Sequence, residues 1–211
     1  MVTAGHDVFT PSLTGIGERS HLTGPQVNLT THVRDVVNTV LYEDLRDIVL
    51  VGFSYGGMVV TGAVDHIGPR IKHLVFLDAF VPGDGDSVDG IVGRGARPAI
   101  TLGEEWLVQP PARDFDDPDE AAWSNARRVA HPATCFSEPV HLSRPLEDQP
   151  FTRTYIKATA ERSATPGTAA FWATGERTRA SPRWRYREID SNHMVASNQP
   201  DALVGLLLEL T

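Results

Sequence analysis

Ser54 lies at the centre of Gly52-Phe-Ser-Tyr-Gly-Gly-Met58, with a glycine two residues away on each side. A serine hydroxyl is a poor nucleophile at neutral pH. It becomes a useful one when a base, usually an imidazole oriented by a carboxylate, takes its proton. The spacing has a steric reading. If the serine sits in a strained turn between a strand and a helix, Gly52 and Gly56 must lack bulk where the two elements nearly touch, and Gly57 adds a further small residue. Such a turn lifts the hydroxyl clear of the backbone. In a chain with 18 glycines the pattern alone carries little weight, so its setting decides.

The setting fits. Ile48 to Val51 is a short apolar run that reads as a strand covered on both faces, and Met58, Val59, Val60 and Val64 form a helical pattern after the turn. A second buried strand, Ile71 to Leu77, ends in Asp78. A carboxylate there is either a turn former or a group at the strand's carboxyl end, where open α/β sheets build their sites. Further strands are expected at Thr152 to Thr159, which Glu161 follows, and at Trp184 to Asp190, an edge strand by its alternation. His193 lies in the loop between that strand and the last helix, which opens at Pro200 and carries Leu203, Leu206, Leu207 and Leu210 on one face. Near the start, His6 to Thr10 reads as a short strand. Leu13 to Leu22 reads as a surface loop, and Val33, Val36, Val37, Val40 and Leu41 lie on one face of a helix capped by Thr30 or Thr31. A helical stretch is expected around Ala169 to Thr174.

From Pro82 to Pro145 the chain becomes rich in Gly, Pro and Asp, with one helix marked by Asp117 as cap, Pro118 in the first turn and late arginines. A segment this long between two sheet strands suggests a lid, so the chain divides into a first core part at 1–81, a lid at 82–148 and a second core part at 149–211. Trp106, Phe115, Trp123 and Phe136 either line the inner side of that lid or form its own small core.

Composition narrows the function classes. The chain has 211 residues, 19 basic and 27 acidic, for a net charge of −8 with no dense basic run, so nucleic acid is not an expected partner. No apolar run approaches the ~20 residues that span a bilayer. One cysteine, Cys135, leaves no internal disulfide, and with no signal-like start the cytoplasm is the expected location. The eight histidines are scattered without metal-ligand spacing, and neither a metal nor an organic cofactor is expected.

Taken together, the loop Leu13-Thr-Gly-Ile-Gly-Glu-Arg-Ser-His-Leu22, the turn Gly52-Phe-Ser-Tyr-Gly-Gly-Met58, Leu77-Asp-Ala-Phe-Val-Pro82 and Asn192-His-Met-Val195 resemble the α/β-hydrolase superfamily. The branch they are most similar to is the small bacterial esterases related to plant methylesterases and hydroxynitrile lyases. The resemblance covers essentially the whole chain. It implies a mostly parallel sheet flanked by helices with a lid insertion, and hydrolysis of small carboxylic esters through an acyl-enzyme. Ser54 would be the nucleophile, His193 the base and the backbone N–H of Tyr55 an oxyanion donor. His193 lies late in the chain, in the loop after the last strand and before the last helix, where the order serine, acid, histidine asks for it; His6, His21, His32, His66, His73, His131 and His141 lack such a position. The acid is open between Asp78 and Glu161. Glu161 stands where the plant methylesterases carry aspartate, and Asp78, with the shorter side chain and drier surroundings, is slightly preferred. Met194 follows the histidine where the hydroxynitrile lyases have lysine, which is the esterase pattern.

The resemblance also implies an earlier strand, a His-Gly loop with a second oxyanion donor and a helix, about 25–30 residues in all, so the chain is expected to be N-terminally truncated. Two readings of different class follow: an esterase with its start upstream, or a non-catalytic chain that binds small apolar ligands.

Overall fold

A computed structural model describes residues 1–94, 106–160 and 165–210. Its centre is a four-stranded, all-parallel sheet in the order β1-β2-β5-β6, with β1 at Ile48–Phe53, β2 at Ile71–Leu77, β5 at Thr152–Ala158 and β6 at Arg185–Ile189. Parallel neighbours need long crossovers. The helix α2 (Gly56–Ile67) joins β1 to β2, and α6 (Pro166–Ala180) joins β5 to β6. Between β2 and β5 the chain forms α3 (Val88–Ile91), α4 (Pro118–Asn125), α5 (Thr134–Ser137) and a two-stranded antiparallel ribbon, β3 (Leu107–Val108) with β4 (His131–Pro132). The helices α1 (Leu29–Tyr42), α7 (Val195–Asn198) and α8 (Pro200–Leu208) complete the fold.

Alternation along the buried strands sends side chains to two cores. Leu74, Phe76 and Tyr155 pack with α1, α2 and Phe171 of α6, whereas Val75, Leu77, Ile156 and Ala158 pack with Leu203 and Leu210 at the end of the chain. Sheet covered by helices on both faces is what the apolar runs at β2 and β5 require. The apolar stripe of α1 buries Val33, Val37 and Val40 as expected. Its cap is Asn28, two residues before Thr30 and three before Thr31, with the Thr31 N–H donating to the Asn28 side chain at 2.9 Å. Glu138, from the segment between β2 and β5, accepts from the Thr30 N–H at 2.8 Å, so a carboxylate from a distant part of the chain meets the positive end of α1.

Several expectations need correction. Residues 6–10 form no strand: the segment joins no ladder, and Val8 and Phe9 are exposed rather than packed on the sheet. Nor is β1 covered on both faces. It is an edge strand among the described residues, and Val51 and Phe53 are 40% and 36% exposed. The helix after Asp117 is α4, with Asp117 accepting from Asp119 N–H, but it buries no residue and Trp123 is 60% exposed, so this tryptophan lines no inner side. The helix expected around Ala169 runs longer, from a Thr165 cap to Ala180.

His73 on β2 is buried and lies between the hydroxyls of Thr152 and Thr154. Burial first, then the cations Arg185, Arg153 and Lys72, lower its pKa from 6.5 to about 4. The folded state therefore binds fewer protons than the unfolded chain between those values, and stability is lost as pH falls through that window. Melting temperature should drop on acidification from pH 6.5 towards 4, and His73→Gln should flatten that dependence, measured by circular dichroism across the range.

Candidate active site

The sheet register assembles the site. Phe53 of β1 pairs with Leu77 of β2, so the next residues on the two strands, Ser54 and Asp78, emerge side by side at the carboxyl end. Both occupy the left-handed region, with φ of 54° at Ser54 and 40° at Asp78. For non-glycine residues this backbone is strained by roughly 1 kcal/mol or more and persists only where its surroundings fix it. Backbone hydrogen bonds do so here: Asp78 N–H donates to Ile156 C=O at 2.8 Å, Ser54 N–H to Leu77 C=O at 3.4 Å and Phe80 N–H to Ser54 C=O at 3.2 Å.

His193 enters from the loop after β6. Its Nε2 lies 2.9 Å from Ser54 Oγ and its Nδ1 2.7 Å from Asp78 Oδ2. The Asp78 carboxylate, which also faces Lys157 Nζ at 2.7 Å, acts as acceptor, so the ring proton belongs on Nδ1 and Nε2 accepts the serine hydroxyl. The imidazole stacks on Phe171, with centroids 5.2 Å apart, and lies 4.6 Å from the Phe53 ring on β1. Asn192 holds the loop: its Oδ1 accepts from Met194 N–H and Asn198 Nδ2, and its Nδ2 donates to Asp114 C=O. Serine, imidazole and carboxylate in unbroken hydrogen-bond contact can move one proton from hydroxyl to ring while the carboxylate steadies the charge that forms.

Of the sequence candidates, the structure brings Ser54, His193 and Asp78 together. Glu161 lies outside the described residues. Tyr55 caps the amino end of α2, directly after the nucleophile candidate. Its hydroxyl lies 3.0 Å from His32 Nδ1, and His32 Nε2 lies 2.9 Å from Thr14 C=O. The carbonyl can only accept, so Nε2 carries the proton and Tyr55 O–H donates to Nδ1. Burial lowers the pKa of His32 and raises that of Tyr55, which keeps both neutral. Burial likewise pushes the Cys135 thiol beside them up to about 12, too high for a thiolate at neutral pH. Sequence reasoning set His32 aside and passed over Lys157. The signals were present: a histidine on the apolar stripe of α1, and a lysine inside the run Tyr155-Ile-Lys-Ala158.

The glycines also divide differently. A Cβ at Gly52 would approach Val60 Cγ2 to 2.6 Å, as expected of a position that must stay small. At Gly56 a Cβ would meet nothing within 4 Å, so the steric need expected there is absent; the crowded position is Gly57, where it would run into the Phe80 carbonyl. The turn aims residue 56 outward and residue 57 at the backbone after β2.

With this geometry in view, a family model described as the alpha/beta hydrolase family matches residues 2–206. The chain belongs to the α/β-hydrolase family. A "carbendazim hydrolyzing esterase" of Nocardioides sp. (strain SG-4G) is 42% identical over 154 residues, which cover 66% of this chain. The match spans 64% of that relative's length. An extracellular α/β-hydrolase from a Paenibacillus species, described as sharing homology with tobacco salicylic acid binding protein 2, superposes with a TM-score of 0.78 at 22% identity, covering 99% of this chain and 89% of its own. A methylesterase from Arabidopsis, MES16, gives 0.74 at 20% identity, covering 99% and 88%. At such identities the two structures speak for the fold alone. No helix of the described residues is long and apolar enough to cross a membrane, and no three His, Cys, Asp or Glu side chains among them are placed to hold a metal ion.

Replacing Gly57 by alanine should destabilise the protein by about 1–3 kcal/mol through overpacking, whereas Gly56→Ala should leave the urea midpoint near that of the parent. Equal midpoints for the two variants would contradict the steric assignment.

Proposed function

We propose that the chain is a serine hydrolase that cleaves small carboxylic esters through an acyl-enzyme. The observation that carries this reading is the continuous contact from Ser54 Oγ through His193 to Asp78, at 2.9 and 2.7 Å. Ser54 Oγ attacks the ester carbonyl carbon as its proton passes to His193 Nε2, and a tetrahedral oxyanion forms beside the Tyr55 N–H. The C–O bond to the alcohol then breaks, and His193 returns the proton to the leaving oxygen. Water repeats the sequence in reverse: His193 takes its proton, the hydroxide attacks the acyl carbon, and Ser54 leaves with a proton from the imidazole. Asp78 accepts from Nδ1 throughout and balances the imidazolium.

The surroundings support small apolar or aryl esters. Phe53 and Phe171 flank the imidazole, and Phe136, in the segment that we propose acts as a lid (82–148), packs edge-on against Tyr55 at 5.4 Å. The name of the 42%-identical relative makes carbendazim a further substrate to try.

Turnover of p-nitrophenyl acetate, p-nitrophenyl butyrate and carbendazim by the purified chain tests the reading. Ser54→Ala should lower kcat by at least about 10⁴-fold, and Asp78→Asn by roughly 10³–10⁴-fold through loss of the imidazole's orientation. Glu161→Gln should stay close to the parent. Full activity in Ser54→Ala would sink the mechanism; a large loss in Glu161→Gln with little in Asp78→Asn would move the acid to the other carboxylate.

A further inference from the structure

The same register that sets Ser54 beside Asp78 continues one strand further. Leu77 pairs with Ile156, so Lys157 of β5 emerges next to Asp78, on the side away from Ser54. Lys157 is 1% exposed. Its ammonium is surrounded: Nζ donates to Asp78 Oδ1 at 2.7 Å and to Ala158 C=O at 2.5 Å, and lies over the Trp172 ring, 4.3 Å from its centre. The Ala158 N–H also approaches Asp78 Oδ1, at 3.4 Å. One carboxylate oxygen is thus held by an ammonium and a backbone amide, and the other faces His193 Nδ1 at 2.7 Å.

We infer that Lys157 is a positioning residue: by fixing Asp78 Oδ1 it holds Oδ2 in the plane and at the distance that keep His193 aimed at Ser54. The inference rests on the ester-hydrolase reading and adds a fourth residue to it. Two physical points support it. Rotation about the terminal bond of an aspartate is soft, with two equivalent oxygens exchanging places. A carboxylate with one oxygen tied down presents the other in a single orientation. Stability, by contrast, gives little reason for a lysine here, since a buried ion pair is commonly matched or bettered by apolar side chains of similar volume. The position is buried on the same face of β5 as Tyr155, with its aliphatic stem beside Gly175 of α6, and methionine is the unbranched apolar side chain of similar length. Lys157 is not placed to act on substrate itself, because its donors are spent on Asp78, Ala158 and Trp172 and Asp78 stands between it and the serine.

A double-mutant cycle tests this with p-nitrophenyl acetate. Lys157→Met in the parent should lower kcat by about 10–100-fold, by analogy with removing the partner that orients a metal-ligating side chain, with KM unchanged. In the Asp78→Asn background the same substitution should cost nothing further, because a residue acting only through Asp78 has nothing left to position. An equal fold-loss in both backgrounds, a loss confined to KM, or no loss in the parent overturns the inference. Should the single variant fail to fold, the comparison of Asp78→Asn with Asp78→Asn/Lys157→Met still decides it, since no buried carboxylate is stranded there; a further drop in kcat contradicts positioning. A second readout needs no turnover. The downfield proton resonance of His193 Nδ1–H, identified by its loss in His193→Ala, should move or broaden in Lys157→Met, and an unmoved resonance overturns the proposal. If parent activity survives Ser54→Ala the hydrolase reading falls by itself, while a displaced resonance would still uphold the hold of Lys157 on the Asp78–His193 pair.

Discussion

The parallel register across three strand ends is the constraint from which the rest follows. Because Phe53 pairs with Leu77 and Leu77 with Ile156, the chain delivers a serine, an aspartate and a lysine in one row at the carboxyl edge of the sheet. No side chain has to search for its neighbour. A slip of one residue in either pairing would turn the alternation over and send the affected residue to the opposite face. The register is defended by the buried alternation on β2, where Leu74 and Phe76 enter one core and Val75 and Leu77 the other. The precision of the site is therefore a property of the core.

The imidazole is the one member that does not come from this row, and it is located by other means. It hangs from a loop, and loops drift unless packed or bonded. Stacking on Phe171 and approach to Phe53 fix the ring plane, and the Asn192 side chain closes the loop on itself and on Asp114. Phe171 belongs to α6, which is tied to the sheet by the single O–H of Tyr155, shared between the Phe171 and Ala79 carbonyls at 3.1 and 3.2 Å. The elements that hold the histidine are thus the ones that hold the residues around Asp78.

What the sequence disclosed, and what it hid, follows from which signals are local. The strand-turn-helix around Ser54, Asp78 at the end of an apolar run and His193 before the last helix were legible because each depends on a few consecutive residues and their chain order. The β2, β5 and β6 strands and the α1 stripe were legible from periodicity. Partner-dependent features were not. Residues 6–10 have strand-like composition, but a strand exists only as half of a pair, and composition does not say whether an edge is offered. Coverage of β1 and exposure of Trp123 likewise depend on what lies across from them. Gly56 and Gly57 are adjacent and identical in type; only the path of the backbone after β2 tells which one has no room. Lys157 and His32 each broke an apolar pattern, and such a break is a signal, but the partner that explains it lies 79 residues away for the lysine and 23 for the histidine.

His32 carries that last point furthest. A neutral imidazole has one donor and one acceptor, and here both are used: Nε2–H to the Thr14 carbonyl and Nδ1 from the Tyr55 hydroxyl. This couples the loop before α1 to the residue directly after Ser54 through groups that burial keeps uncharged. A charged residue in its place would need a counterion in a space already filled by Cys135, His131 and Phe136, and an apolar one would take away the donor that the Thr14 carbonyl accepts from. Burial lowers the pKa of this ring, which favours the neutral form that the two hydrogen bonds need. The two imidazoles thus differ in what their nitrogens meet: His193 Nε2 faces the Ser54 hydroxyl, the contact on which the proposed hydrolase rests, whereas both nitrogens of His32 are committed to Thr14 and Tyr55.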